Sequence, residues 1–403
     1  MRVAVVGAGW AGLAAAVRAT EAGHHVTLFE TAAQAGGRAR SVGDAGLDNG
    51  QHILIGAYVR TLALMRTVGA DPDGLLARLP LTLRYPDGRG LAAPPGAPIP
   101  SFVRAVAGCV GWTWGDRLAL LSTATRWALR GFRCDPALTA DALCAGLPPR
   151  VRELLIDPLC VAALNTPAAE ASAATLLRVL RDALFSGPGS ADLLLPRRPL
   201  GDLLPAPAMA WLAQHGADLR IGERVTELPP HDRVILACPA AEAARLTADV
   251  APAWSARAAA LRYEPIVTVY LRAEGGRLPA PMMALVEGPD APAQFAFDHG
   301  ALGGRAGRFA FVVSGAAPWV ERGLDATAAA VLRQAAPLLA GASVERVLAE
   351  KRATFRCTPA LDRPPLHIAP GLLAAGDYVE GPYPATLEGA VRAGEAAAAA
   401  LRA

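Results

Sequence analysis

Apolar and polar positions change period several times along this chain, and each change marks an element. Residues 3–6 read Val-Ala-Val-Val, an unbroken apolar run of the kind buried on both faces of a parallel sheet. An alanine-rich stretch from Ala11 to Ala22 follows, with helical composition, and Gly23 stops it. Val26 to Phe29 is a second apolar run, ending at Glu30. Phe102 to Pro149 looks helical, with Trp112, Trp114, Trp127 and Phe132 interleaved with Arg117, Arg126, Arg130 and Arg133. On either side of it, Pro94 to Pro100 and Ser186 to Pro207 predict connectors or a loop near a ligand. Leu219 to Thr226 and Asp232 to Cys238 predict strands, and residues 263 to 272 and 308 to 314 alternate as antiparallel strands do. Leu324 to Ala340 predicts a helix, Val344 to Phe355 and Leu372 to Ala375 strands, and Thr386 to Ala403 a last helix.

The first strand, helix and second strand make a βαβ unit, and the turn inside it reads Gly7-Ala8-Gly9-Trp10-Ala11-Gly12. In this fingerprint Gly7 permits the tight turn, Gly9 lets the backbone approach a pyrophosphate, and Gly12 lets the helix pack closely on its strand. Amides at the helix start, Trp10 and Ala11 included, then face phosphate charge, which the helix dipole favours. Glu30 stands 18 residues after Gly12, where a carboxylate accepts from ribose hydroxyls.

Three further segments extend the site. Gly36-Gly37-Arg38 suits a backbone passing along a pyrophosphate, with Arg38 neutralising charge. Leu47-Asp48-Asn49-Gly50-Gln51-His52 supplies a glycine, Gly50, which with Gln51 would sit well beside a flavin ring; Asp48 and His52 here, and Tyr383 and Glu388 near the last helix, are the candidate acids. Gly376-Asp377 feeds the last helix, whose entry is shaped by Thr386 and whose first amides begin at Leu387. Asp377 is suited to accept from a ribityl hydroxyl. Val225, in the Leu219 to Thr226 run, is counted with the cofactor-binding residues. A fingerprint at one end and a Gly-Asp loop at the other imply one long cofactor held from both ends. FAD fits that better than NAD. The fold expected is α/β, a Rossmann-type FAD-binding domain with an inserted α+β substrate domain. Residues 1–75, 206–260 and 346–403 are assigned to the former, 76–205 and 261–345 to the latter.

Composition narrows the partners. A formal charge of +3 over 403 residues gives no basic footprint for nucleic acid. Six cysteines without a CxxC pair predict no metal site and reduced, buried thiols, hence a cytoplasmic setting. The glycines break the N-terminal apolar run, so it reads as a strand and turn rather than a signal peptide. The aromatic-basic stretch from Phe102 to Arg133 has two readings, core of the inserted domain or a surface resting peripherally on the membrane.

Together the motifs Gly7 to Gly12, Glu30, Gly36-Gly37-Arg38 and Gly376-Asp377 resemble the flavin amine oxidase and phytoene desaturase superfamily. Within it, Leu47 to Leu54, Ala183 to Ser190, Glu350 to Phe355 and Gly376 to Gly389 resemble the hydroxysqualene dehydroxylase family, along essentially the whole chain. The resemblance implies FAD-dependent reduction of hydroxysqualene to squalene in hopanoid or related triterpene synthesis. It also implies a long apolar isoprenoid substrate and contact with upstream squalene-pathway enzymes. Desaturation of a carotenoid-like polyene and amine oxidation are the alternatives within the superfamily. Amine oxidation wants an aromatic cage, and only 5% of residues are aromatic.

Overall fold

The computed structural model describes residues 1–43 and 46–402, so the Ala403 end of the expected last helix lies outside it. Its centre is a six-stranded sheet. Arg2–Val6 pairs in parallel with His25–Glu30 on one side and Arg233–Leu236 on the other. Asp218–Ile221 and Leu372–Ala374 extend the parallel set, and His367–Ala369 closes one edge antiparallel. The valine run is buried on both faces, as its unbroken apolar pattern requires.

A second, five-stranded antiparallel sheet carries the inserted part, in the order Met282–Ala284, Phe295–Asp298, Arg308–Val313, Tyr263–Arg272, Ser343–Phe355. One face packs against the helix Leu324–Ala335. The other faces helical segments that include Trp114–Leu129 and Ala173–Phe185. The chain thus has the expected α/β class, a Rossmann-type domain with an α+β insertion.

Several boundaries differ from the sequence reading. Ser343–Phe355 pairs along its length with Tyr263–Arg272, so the border set at 345/346 would cut a strand; the return to the cofactor domain comes after Phe355. Ser186 to Pro207 is not a plain connector. Its buried Leu193–Pro196 pairs with Leu54–Ile55 and Leu76–Leu79, the proline sitting at the strand's end, and helices begin at Leu200 and Pro205. Pro94 to Pro100 runs into a helix, Pro98–Ala107, because proline is well suited to a helix's first turn. The expected strand Leu219 to Thr226 stops at Ile221, since Gly222 turns the chain with φ of +80°.

The first helix (Trp10–Glu21) and the last (Leu387–Ala399) lie against each other. Gly394 makes the approach possible, because a Cβ there would be driven into the Ala11 carbonyl. Two carboxylates seven residues apart fasten the last helix to its neighbours. Glu395 bonds Arg18 Nε of the first helix at 2.9 Å and also pairs with Arg60. Glu388, fully buried, caps the helix Val59–Thr67 from outside it. It accepts from Arg60 N (3.1 Å), Thr61 N (2.9 Å) and Thr61 Oγ1 (2.8 Å), and pairs with Arg392 at 2.8 Å. That helix has no side-chain cap of its own at Tyr58.

Removing this carboxylate strands buried donors. Glu388→Ala is expected to cost about 3–5 kcal/mol of stability, and Glu388→Gln, which keeps one acceptor oxygen, less. Urea unfolding of the two variants checks this; an unchanged midpoint in Glu388→Ala would remove the cap from the account.

Candidate active site

Two glycine loops meet at the end of the parallel sheet. Gly36 N donates to Ala8 O at 2.8 Å, and Gly9 and Gly36 form a parallel bridge. Trp10 Nε1 locks the arrangement by donating to Ala39 O at 2.9 Å. The three fingerprint glycines have different reasons to be glycine. A Cβ at Gly7 would press on the Ala237 carbonyl and one at Gly12 on the Gly7 carbonyl, whereas a Cβ at Gly9 would meet only the Gly37 Cα, at 3.8 Å. The protein therefore leaves Gly9 open, as a backbone that a pyrophosphate must approach requires. Glu30 sits at the same turn and accepts from Ala8 N and Ala32 N, each at 2.8 Å. Its carboxylate oxygens retain further lone pairs for a ribose.

Arg38 joins the two ends of the chain. It bonds Asp377 Oδ1 at 2.6 Å and donates to Ala353 O at 2.7 Å. Burial by itself would lower the Arg38 pKa; the neighbouring Asp377 carboxylate outweighs it, and the guanidinium is held more firmly charged than usual. Asp377, expected to meet a ribityl hydroxyl, has this ion pair as its side-chain partner in the protein. Arg363 organises the loop beyond it, donating to Asp377 O and Tyr383 O at 2.7 Å each, Gly381 O at 3.0 Å, and the carbonyls of Tyr378 and Val379. Gly376 leads in against the Tyr378 ring, where no Cβ fits. Thr386 caps the last helix by accepting from Gly389 N at 3.1 Å, so that its first turn starts at Leu387 as expected.

Residues 48–52 cross one face of the five-stranded sheet. Tyr270 Oη donates to Asp48 O (2.9 Å), Asn49 Nδ2 to Glu350 Oε2 (2.9 Å), and Gln51 Oε1 lies 3.0 Å from His299 Nε2. Strand alternation puts Ile266, Thr268 and Tyr270 on this face, with Val267, Val269 and Leu271 on the other. Thr268 is only 1% exposed, and among the described residues its Oγ1 has no partner. It is near Gly50, where a Cβ would come within 3.8 Å of Thr268 Oγ1 and 3.9 Å of His52 Cε1. Ile266, Leu348 and Val312, around it, are apolar.

Geometry separates the two candidate acids that spacing leaves level. Asp48 Oδ1 accepts from Leu200 N (2.9 Å) and Ser41 Oγ (3.2 Å), fastening the 47–52 segment to the turn at Leu200. Burial raises its pKa to about 6, against those hydrogen bonds. His52 stands beside Gly50 instead, whose other near neighbour is Thr268. Its Nδ1 lies 3.0 Å from Gly50 O, which sets Nδ1 as the protonated nitrogen, and among the described residues Nε2 has no partner. Burial lowers the His52 pKa, Gly50 O opposes this, and Arg38 adds to the lowering. At neutral pH the imidazole is uncharged.

Tyr383 and Glu388, which share the C-terminal segment, are engaged elsewhere: Tyr383 Oη accepts from Arg178 at 2.8 Å, and Glu388 is the cap described above. Val225 lies in the loop after Ile221, with its carbonyl taken by Arg245 at 3.1 Å, while neighbouring Glu223 N bonds Glu30 O at 2.9 Å. Lys351, the only lysine, is exposed on its strand. Sequence reasoning missed Thr268, Glu350 and Arg363 as site residues. Their long-range partners leave no local motif; only the alternation of 263–272 could have put Thr268 on the site face.

The open position at Gly9, the paired glycine loops, Glu30 and the half-buried Arg38–Asp377 pair fit a dinucleotide with a charged pyrophosphate. Residues 10–402 match the family described as flavin containing amine oxidoreductase. Hydroxysqualene dehydroxylase of Rhodopseudomonas palustris is 31% identical over 98% of this chain and 97% of its own length. A probable zeta-carotene desaturase of Synechococcus elongatus is 45% identical, but over 17% of this chain and 15% of its own. Among solved structures, an oxidoreductase from Methanosarcina mazei superposes with a TM-score of 0.75 at 16% identity, over 98% of this chain and 99% of that one. The chain belongs to the flavin-containing amine oxidoreductase family and is an FAD-dependent oxidoreductase.

Proposed function

We propose that this protein reduces hydroxysqualene to squalene, replacing the allylic hydroxyl by hydrogen and releasing water, as a step towards hopanoids or related triterpenes. The single observation that carries the reading is Thr268 Oγ1, a buried hydroxyl without a partner among the described residues, flanked by Ile266, Val312 and Leu348 and close to Gly50, whose other near neighbour is His52. A hydrocarbon bearing one hydroxyl matches that surface. Full-length similarity to a hydroxysqualene dehydroxylase supports it, whereas similarity to a carotene desaturase is confined to a short segment. Reduced FAD, held by Gly9, Gly37, Glu30, Arg38 and the Gly376–Leu387 region, supplies the hydride.

The chain's residues handle the hydroxyl and the proton. Thr268 hydrogen-bonds the carbinol oxygen and orients it. His52, in its protonated form, donates from Nε2 so that the C–O bond breaks with water as leaving group. The electron pair of that bond leaves with oxygen, and hydride fills the vacated allylic carbon. Ile266, Leu348 and Val312 present no nucleophile to the electron-poor carbon. Asp48 positions the segment that carries His52.

Anaerobic incubation of reduced holoenzyme with hydroxysqualene is expected to give one squalene per FAD. Deuterium carried on the flavin should enter at the carbinol carbon or its allylic partner. Squalene without deuterium, or flavin reduction by a polyene or an amine in place of this turnover, refutes the proposal.

Cofactor binding has its own test. Gly9→Val is expected to fold and carry no flavin, whereas Gly12→Val fails to fold, because only the second puts a side chain into protein. Glu30→Ala should weaken FAD binding by about one to two orders of magnitude. Flavin absorbance with circular dichroism separates these outcomes; a fully flavinylated Gly9→Val would mean no pyrophosphate lies there.

The His52 role fixes a pH dependence. A histidine whose pKa is lowered loses its proton below the usual range, so above about 6.5 its acid form falls roughly tenfold per pH unit. Turnover should fall with rising pH on the same slope. His52→Gln should remove the slope and slow turnover by about 10²–10⁴-fold with FAD retained. Thr268→Val should lower kcat/KM about tenfold. Asp48→Asn should keep the wild-type pH profile. A pH-independent wild-type rate excludes His52 as the donor.

A further inference from the structure

Half of the exposed large apolar side chains, seven of fourteen among the described residues, fall between Ile99 and Phe185. They concentrate on two helices of the inserted part, Pro98–Ala107 and Trp114–Leu129. At 100° per residue, positions 114, 118, 121, 125 and 129 of the second helix share a stripe about 80° wide. The stripe holds Trp114 (69% exposed), Leu118 (64%) and Leu129 (84%). Its opposite face is the one that packs inward, through Leu120, Thr123 and Trp127. With Leu121 packed inward and Thr125 polar, three large apolar side chains of this helix still face outward, a concentration that suits a second apolar contact. On the neighbouring helix Ile99 and Val103, four residues apart, are likewise exposed.

Charge identifies what covers this face. Between Pro98 and Arg133 the sequence holds five arginines and one aspartate. The aspartate, Asp116, caps its own helix through Thr113. Among the described residues no carboxylate pairs with any of the five, Arg104, Arg117, Arg126, Arg130 or Arg133. On the wheel Arg117 flanks the stripe on one side and Arg126 on the other. Arg117 also lies over the Trp114 ring, 4.7 Å from its centroid. A second copy of this chain would bring like charges together across a twofold interface. An anionic bilayer takes apolar side chains between its headgroups and pairs the arginines with its phosphates. No helix among the described residues is long and apolar enough to cross a membrane. A shallow surface depression lined by Leu81, Pro94, Pro98, Phe102 and Leu184 lies beside the first of the two helices.

We infer that the outward faces of Pro98–Ala107 and Trp114–Leu129 rest on an anionic lipid bilayer, with Trp114 and Leu118 inserted at headgroup depth and the arginines around them. This contact does not depend on the reaction proposed above.

The test is cosedimentation of holoenzyme with vesicles of phosphatidylglycerol and phosphatidylcholine, compared with phosphatidylcholine alone. Wild type should partition to the anionic vesicles and be released by about 0.5 M salt, at which surface charge is screened within a few ångströms. Arg126→Gln with Arg130→Gln should lower partitioning to anionic vesicles by roughly fivefold per arginine. Trp114→Ser with Leu118→Ser should abolish binding while leaving flavin content and circular dichroism unchanged, since both side chains are exposed. Brominated lipid should quench Trp114 fluorescence in wild type. Failure of wild type to bind anionic vesicles overturns the inference. So does equal binding by the serine variant, or a lipid-free dimer on size exclusion that the serine variant breaks.

Discussion

The close crossing of the first helix and the last, at Ala11 and Gly394, is the constraint on which the site depends. The cofactor-binding groups come from both ends of a 403-residue chain, and neither end makes a complete site. The fingerprint offers amides and an open backbone at Gly9; the C-terminal loop offers Asp377 and the start of a helix. Their relative position is set by backbone-to-backbone contact where no side chain intervenes, and a contact of that kind has little slack. Glu395 and Glu388 then fix the last helix along its length, one to the first helix and one to the end of Val59–Thr67. Arg38–Asp377 closes the frame at the site itself, across 339 residues of sequence.

Much of this frame was legible. The fingerprint, the second glycine pair and the Gly-Asp loop are local solutions to a local demand, a backbone that must come close to phosphate, and they leave their mark in consecutive residues. The 263–272 strand could be read because β-branched and aromatic residues crowd it. What was not legible depends on contacts far apart in the chain. Asp48 and His52 look equivalent in one hexapeptide, yet the carboxylate turns to Leu200 and the imidazole to the Gly50 carbonyl. Arg363 precedes its carbonyl acceptors by at least 14 residues in a proline-rich stretch with no periodicity. The strand Ser343–Phe355 was recognised, but its assignment to one domain or the other rests on pairing, which composition does not carry.

The aromatic-basic stretch shows why two readings of one segment need not compete. Trp112 and Trp127 are buried in the core between helices and sheet, and Trp114 is among the most exposed large side chains. A helix of period 3.6 can present one apolar row inward and another outward, with arginines on the two borders. Average hydrophobicity sees one apolar helix; only the placement of each row tells core from surface.

Burial does two things at the site face. It leaves Thr268 without a partner, so that the folded protein holds a polar group at a cost of about 1–3 kcal/mol that a bound hydroxyl would recover. It also lowers the His52 pKa, and Arg38 lowers it further. The imidazolium is thereby rarer at neutral pH but a stronger acid when formed. For the proposed loss of water from an allylic carbinol the second effect matters more than the first, because a poor leaving group needs a strong donor at the moment of C–O cleavage. The same apolar surroundings that make that donor strong keep solvent from the electron-poor carbon. In the proposed reaction one physical cause, a buried face built from alternate residues of a single strand and its neighbours, would thus serve recognition, proton transfer and protection together.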